Sequence, residues 1–498
     1  MSAIRRGGAG AVVAAESSAD AGVCRLEGVG SAVGPAPGGK LTVADVLRAH
    51  AAEYLAWRGE RASFQERRVL AQLTACRTAA MGGHAWQCED CGAVEASYNS
   101  CRNRHCPTCR GATRAKWLER VREDLLPVPY FHVIQTLPHE PQLDRLVLAN
   151  RAAVYGLLFR STAKALRQLA ADPRYLGAQI GLLMVLHTWG QFMNAHTHVH
   201  VVLPGGGLSP DGTRWVSCRD GFFLPVELIG ALVRGKFLAG LKRLWRAGKL
   251  KLDGKLSPLR AERTFESWLA TLYAKKWVAF AQGPRSGIAG PDAVLKYLAR
   301  YVSGVAISDR RLVSHSGGRV NFRWKDYAAG GCEKPTGVPG LEFVRRYMLH
   351  VLPRGFVRIR SYGLLSNRSR KTDLARCRAL LGASPAAVSS TASAASPAPT
   401  TSATSAACGA SPAATGPATS AASGASPAPT GSVSSNCAAC RRGRLVLRQS
   451  WPRPTVWDLV PRQTSPGRRR AAGAAARPAV ARRLACEPTM AACVEDTS

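Results

Sequence analysis

Two neighbouring stretches decide the fold: Ile180-Gly181-Leu182-Leu183-Met184-Val185-Leu186-His187 and, after a short connection through Asn194, His196-Thr197-His198-Val199-His200-Val201-Val202-Leu203. Apolar runs this close read as two adjacent strands, and Gly205-Gly206-Gly207 and Asp211-Gly212 mark turns beyond them. Alternate side chains of a strand share a face, so two or three of His196, His198 and His200 point one way while Val199 points to the core. Neutral imidazoles on one face are part of a divalent-metal site. The plainer reading is a polar strand face without metal. Three histidines at a period of two, followed by a glycine-rich turn, weigh against it. His198 and His200 make the pair, and the remaining ligand is open among Gln191, His187 and His196. Gln191, seven residues before His198, is preferred.

Working outward, Thr42 caps a helix with apolar positions Val46, Leu47, Ala51 and Tyr54. A second helix is expected from Thr113 to Leu126, ending at Pro127. Tyr130-Phe131-His132-Val133-Ile134 reads as a buried strand. Helical periodicity returns over 145–170, 225–247 and 264–282, and a helix opens at Pro291, a favoured first-turn residue. Strands and helices interleave, so the class is α/β or α+β. The Pro291 helix carries Tyr297 and Tyr301 four residues apart, hence on one face. Such a pair is usually a packing stripe. Beside a metal site it reads instead as a source of nucleophiles, since a phenolate can attack a phosphodiester and form a covalent phosphotyrosine. A metal would polarise the phosphate oxygens. Lys296 and Arg300 are cations placed to assist ionisation of the phenol or to bind phosphate.

Six cysteines fall between Cys76 and Cys109. In a basic chain with no convincing signal peptide, they indicate metal binding in a reducing compartment rather than a disulfide framework. Cys88-x2-Cys91 and Cys106-x2-Cys109, fourteen residues apart, are expected to place four thiolates around one structural Zn2+. Cys76, Cys101 and His105 lie close enough to replace a ligand or simply to pack. Arg102, Arg104 and Arg110 make this module a candidate DNA-binding surface. A folding staple with an ordinary charged face is the alternative.

The net charge of +36 across 498 residues implies a polyanionic partner, most naturally nucleic acid. No stretch of about 18 apolar residues suggests a membrane span, and a cytoplasmic location is expected. Residues 1–40 read as a disordered extension. Residues 379–436 hold no charged side chain, and Ala-Ser-Pro recurs at 395, 410 and 425, with too few apolar residues to stack as a solenoid. This reads as a linker. The segment 441–485 has twelve arginines against one acid, Asp458, and reads as a disordered tail. The remaining 25 charges lie elsewhere.

The histidine run with its glycines and the Tyr-x3-Tyr helix resemble the two-tyrosine HUH endonucleases. More closely, the chain resembles rolling-circle insertion-sequence transposases of the IS-ninety-one type. The resemblance rests on Cys76-Arg77-Thr78, Tyr98-Asn99-Ser100-Cys101-Arg102-Asn103-Arg104-His105-Cys106-Pro107, Pro129-Tyr130-Phe131-His132-Val133 and Thr136-Leu137-Pro138. It continues through His187-Thr188-Trp189-Gly190-Gln191, the histidine run, Tyr297-Leu298-Ala299-Arg300-Tyr301, Phe322-Arg323-Trp324-Lys325-Asp326-Tyr327 and His350-Val351-Leu352-Pro353. It departs at Thr197, where proline is expected, and at Cys437-x2-Cys440, which the long linker displaces.

The resemblance implies a ferredoxin-like nuclease sheet behind a zinc-ribbon-like module. It implies His198 and His200 as ligands of Mg2+ or Mn2+, and Tyr297 and Tyr301 as nucleophiles leaving a 5′-phosphotyrosine and a free 3′-hydroxyl. The domain division is then 1–40 extension, 41–115 zinc-binding and DNA-binding domain, 116–380 nuclease domain, 381–436 linker and 437–498 basic tail. The expected activity is cleavage and rejoining of single-stranded DNA at mobile-element ends and target DNA. A relaxase or replication initiator of the same superfamily is the enzymatic alternative. A non-catalytic zinc-containing DNA-binding protein is the other.

Overall fold

A computed structural model of the chain describes residues 40–219, 224–283, 290–302, 304–326, 329–382 and 433–460. The N-terminal extension up to residue 39, most of the Ala/Ser/Pro linker and the tail beyond 460 lie outside the described residues.

The chain enters through α1 (Val43–Arg58) and α2 (Phe64–Thr74). Thr42 caps α1 as its sequence suggests. Its side chain accepts from the Asp45 amide while the Asp45 carboxylate accepts from the Thr42 amide, a reciprocal box that satisfies two end amides. Ser63 and Glu66 repeat it at α2. Next come β1 (Gly83–Cys88), β2 (Val94–Tyr98) and α3 (Arg110–Asp124).

The central unit runs β3 (Tyr130–Thr136), α4 (Pro141–Ala149), α5 (Arg151–Ala171), β4 (Gly181–Trp189) and β5 (Ala195–Pro204). It continues through β6 (Gly206–Leu208), β7 (Trp215–Ser217), α6 (Val226–Arg246), α7 (Glu262–Ala274) and β8 (Ala279–Gln282). After it come α8 (Pro291–Val302), β9 (Leu312–Ser316), β10 (Arg319–Asp326), β11 (Cys332–Pro339) and α9 (Gly340–Leu349). The chain then forms β12 (Ile359–Gly363) and α10 (Arg370–Leu380). The last described segment holds β13 (Val433–Asn436), β14 (Arg444–Trp451) and α11 (Val456–Leu459).

The main sheet is antiparallel in the order β12-β4-β5-β3-β8. Taken without β12, it is a βαββαβ unit with its last strand beside its first and its third beside its second. This is the ferredoxin-like order that the resemblance implies. Phe131, Val133, Met184, Val199 and Val201 point to one face, under Leu158 and Phe159 of α5 and Val233 and Phe237 of α6. Tyr130, Leu183, Val185 and Val202 point to the other, against Val121 of α3, Val294 and Leu298 of α8 and Leu374 of α10. Helices cover both faces, which is why the two central strands read as almost continuous apolar runs.

The class is thus mixed α+β with antiparallel sheets. Two local expectations change. Residues 279–282 do not continue a helix; they form β8, because the open edge of β3 offers a backbone partner and pairing there overrides helical propensity. Residues 437–460 do not belong to a disordered tail. β14 pairs antiparallel with β1, in a sheet of order β13-β14-β1-β2.

Packing also crosses residue 115, since Val46, Leu47, Phe343 and Val344 share one core with the β9–β11 sheet. No helix among the described residues is long and apolar enough to cross a membrane.

Candidate active site and cysteine clusters

The β4–β5 hairpin sets the histidines. His187 on β4 stands directly opposite His198 on β5, and Val185 opposite His200. His187, His198 and His200 therefore share the face that α8 covers, and their ligand nitrogens all lie within 4.8 Å of one another. The Nε2 atoms of His198 and His200 are 3.1 Å apart. Burial, and then the nearby His187, pushes the pKa of both His198 and His200 well below the ordinary histidine value. Three imidazoles with their nitrogens this close are a candidate metal-ligand set.

Gln191, the ligand preferred from the sequence, has other partners as well. It lies in the turn past the end of β4, where its carbonyl accepts from Arg311 and its side-chain oxygen from the Lys325 amide at 3.4 Å. The strand register sets His187, one of the alternatives left open by the sequence, directly opposite His198. The His196 ring lies 4.9 Å from that of His198, but its Nδ1 is 2.8 Å from His139 Nε2, and His139 in turn faces Asp144 at 3.7 Å. The hairpin turn is held by His350, whose Nε2 lies 2.9 Å from the Met193 carbonyl and whose Nδ1 lies 3.1 Å from Thr188 Oγ1. Met193 is the left-handed residue of that turn, at φ 57°.

Among the sequence candidates, the structure brings Tyr297 to the histidines. α8 packs Val294 and Leu298 into the sheet and so turns Tyr297 toward β3. The Tyr297 hydroxyl is 2.7 Å from Nδ1 of His132 and 3.4 Å from Nδ1 of His200. His132 stacks on His200 with an interplanar angle of 6°, their facing nitrogens 2.9 Å apart. Burial pushes the His132 pKa down to about 4. In the sequence His132 carries no assigned role, within a buried strand and a stretch shared with the family; the available signal is a single imidazole interrupting an apolar run. Tyr301 continues α8 one turn on from Tyr297; its side chain and that of Arg300 lie outside the described residues.

The cysteines form two groups rather than one. Cys76, Cys101, Cys106 and Cys109 make the first, and Cys88, Cys91, Cys437 and Cys440 the second. Cys88 and Cys91 therefore do not share an ion site with Cys106 and Cys109. The β1–β2 hairpin carries the first knuckle away from α3, while Cys76 after α2 and Cys101 after β2 return to it. In the first group Cys109 Sγ is 3.4 Å from Cys76 and 3.6 Å from Cys101. A zinc–sulfur bond of about 2.3 Å in a tetrahedron puts sulfurs about 3.8 Å apart, so both groups have the right size. Arg77 and Arg102, at φ 56° and 50°, turn the backbone directly after Cys76 and Cys101.

Of the basic candidates, Arg102 and Lys296 are exposed. Arg104 donates to the carbonyls of Phe356 and Pro353 and so braces the cysteine module against the body, while Arg110 donates to the Arg104 carbonyl within the module.

Comparison with known proteins gives a consistent result. The family described as "Putative transposase" matches residues 181–372, and the transposase zinc-binding domain matches residues 46–137. The chain is 49% identical over 349 residues to "Putative transposase y4qJ" of Sinorhizobium fredii, spanning 70% of this chain and 86% of that protein. It is 25% identical over 308 residues to the transposase for insertion sequence element IS801 of Pseudomonas savastanoi, spanning 60% of this chain and 70% of that protein. No solved structure matches. With the zinc-binding domain ahead of the transposase domain in one chain, the protein belongs to the insertion-sequence transposases of the IS-ninety-one type.

Proposed function

We propose that this transposase cleaves and rejoins single-stranded DNA at element ends through Tyr297. The observation that carries the reading is the Tyr297 hydroxyl set against His132 and His200, at the rim of the histidine trio. His187, His198 and His200 would hold the ion. Imidazoles without a carboxylate suit Mn2+ or a later transition ion better than Mg2+. When bound, the ion polarises the scissile phosphate and offsets charge in the transition state.

The chain supplies the rest. His132, kept neutral by burial, accepts the phenol proton. Tyr297 oxygen bonds to phosphorus, the phosphorus–O3′ bond breaks, and the 3′-hydroxyl leaves with a proton from solvent. The product is a 5′-phosphotyrosine, whose bond energy is retained for rejoining. Tyr301, one turn further along α8, is the second nucleophile for strand transfer. Arg102, Lys296 and Arg300 are proposed phosphate contacts. Cys76, Cys101, Cys106 and Cys109 are proposed to hold a structural Zn2+. The upstream zinc-binding domain supports a transposase over a relaxase or replication initiator.

The test is covalent capture. Single-stranded terminal DNA with Mn2+ should yield a protein–DNA adduct that survives denaturation. Persistence of the adduct in Tyr297→Phe/Tyr301→Phe would overturn the nucleophile assignment.

A further inference from the structure

We infer that Cys88, Cys91, Cys437 and Cys440 form a second zinc site, and that zinc there clasps the C-terminal segment to the N-terminal module. The inference stands whether or not the chain cleaves DNA.

The two halves of the site are built alike. Cys88 and Cys91 end β1, and the Gly92 amide donates to the Cys88 carbonyl at 3.1 Å with Gly92 at φ 70°. Cys437 and Cys440 follow β13, and the Arg441 amide donates to the Cys437 carbonyl at 2.8 Å with Arg441 at φ 62°. Each is a knuckle closed by one left-handed residue, and a non-glycine residue accepts that conformation only where something else holds it. The knuckles face each other. Cys88 Sγ is 3.6 Å from Cys440 Sγ, and Cys91 Sγ is 3.7 Å from Cys437 Sγ. These distances match the tetrahedral edge of about 3.8 Å and exceed by far a disulfide bond of about 2.05 Å.

Two further observations point to a ligated thiolate. The Gly443 amide donates to Cys440 Sγ at 3.2 Å, the kind of bond that stabilises a metal-bound sulfur. A Cβ at Gly443 would stand 2.1 Å from Cys88 Sγ, so only glycine lets the returning chain approach that sulfur.

Apart from the knuckles, the segment is fastened at its end, where Leu459 of α11 packs on the core beneath α2 and Arg453 donates to the Ser100 carbonyl. Around the knuckles themselves the buried core consists of Cys88, Cys437 and Leu445. The rest of β14 is half-buried at Val446 and Leu447 and otherwise exposed, including Arg444 and Arg448. A ladder with one buried apolar side chain from the returning strand is weak, whereas four thiolates around zinc supply folding energy directly. The metal thus closes a covalent path of more than three hundred residues into a ring. It also carries the arginines of β14, with Arg441 and Arg453, onto the cysteine module.

The test counts zinc in full-length purified chain and follows amide exchange. Wild type should hold two zinc ions besides any at the histidine trio, whose share is the count lost in His198→Ala/His200→Ala. Cys437→Ser/Cys440→Ser and Cys88→Ser/Cys91→Ser should each hold one, and the quadruple variant should still hold one. The β14 amides should lose protection at least tenfold in Cys88→Ser/Cys91→Ser, although those residues lie far away in sequence. A wild-type zinc count in Cys437→Ser/Cys440→Ser would overturn the inference, as would loss of both ions in the quadruple variant while Cys76, Cys101, Cys106 and Cys109 are intact. Unchanged β14 protection would overturn the clasp.

Discussion

Tyr297 and His132 meet across the gap between α8 and β3, hydroxyl to Nδ1 at 2.7 Å. Nothing in the chain between them, more than 160 residues, requires the contact; the sheet and its covering helix make it. If His132 takes the phenol proton, His132→Gln should slow adduct formation about 100-fold, the lower range for a positioned general base. Rate against pH, at saturating Mn2+, should then rise only toward the phenol's own range. A purely packing role would leave the pH profile in place.

The register opposition of His187 and His198 separates two candidate ligands. His187→Ala should weaken Mn2+ binding at least tenfold and cleavage by about 100-fold, as loss of one of few ligands does. Gln191→Ala should stay within a few-fold of wild type in both, since its contacts are with Arg311 and Lys325. Metal titration by calorimetry decides between them. Equal losses would return Gln191 to the site.

His350 gives a pH-dependent stability. Burial pushes its pKa down to about 4, whereas an unfolded histidine titrates near about 6.5. As pH falls, the unfolded chain takes the proton first. The stabilising contribution is therefore complete above about 6.5 and is lost as pH drops toward 4. Urea unfolding of His350→Asn should show a shallower decline over this window, by up to about 1.4 kcal/mol per pH unit. A slope identical to wild type would remove His350 from the linkage.

DNA affinity should fall steeply with salt, because each phosphate contact displaces a counterion. Lys296 is exposed on α8, one residue before Tyr297. Lys296→Ala should lower the slope of log affinity against log salt by about one. Filter binding at several salt concentrations measures it. An unchanged slope would place Lys296 off the DNA path.

Local pattern made much of this molecule legible. The apolar runs around His187 and His200 identify two buried strands, because each strand residue needs a partner on a covered face. The period of two in the histidine run puts His198 and His200 side by side without reference to any other segment. Thr42 with Asp45 marks a helix start, and the Tyr297–Tyr301 spacing puts both residues on one side of α8. All of these depend on contacts within a few residues, where backbone geometry alone dictates neighbours.

The remainder needed the assembled fold. Whether His187 or Gln191 joins His198 depends on strand register and on where β4 ends. His132 reaches Tyr297 only because β3 lies beside β5 under α8. The division of eight cysteines into two groups depends on β14 returning to the open edge of β1, across a linker whose composition carries no address. Sequence by itself determined which side chains were available for metal and phosphate chemistry. Tertiary structure decided which of them meet, because sulfur and nitrogen ligands a few ångströms apart are set by strand pairing and packing between distant segments.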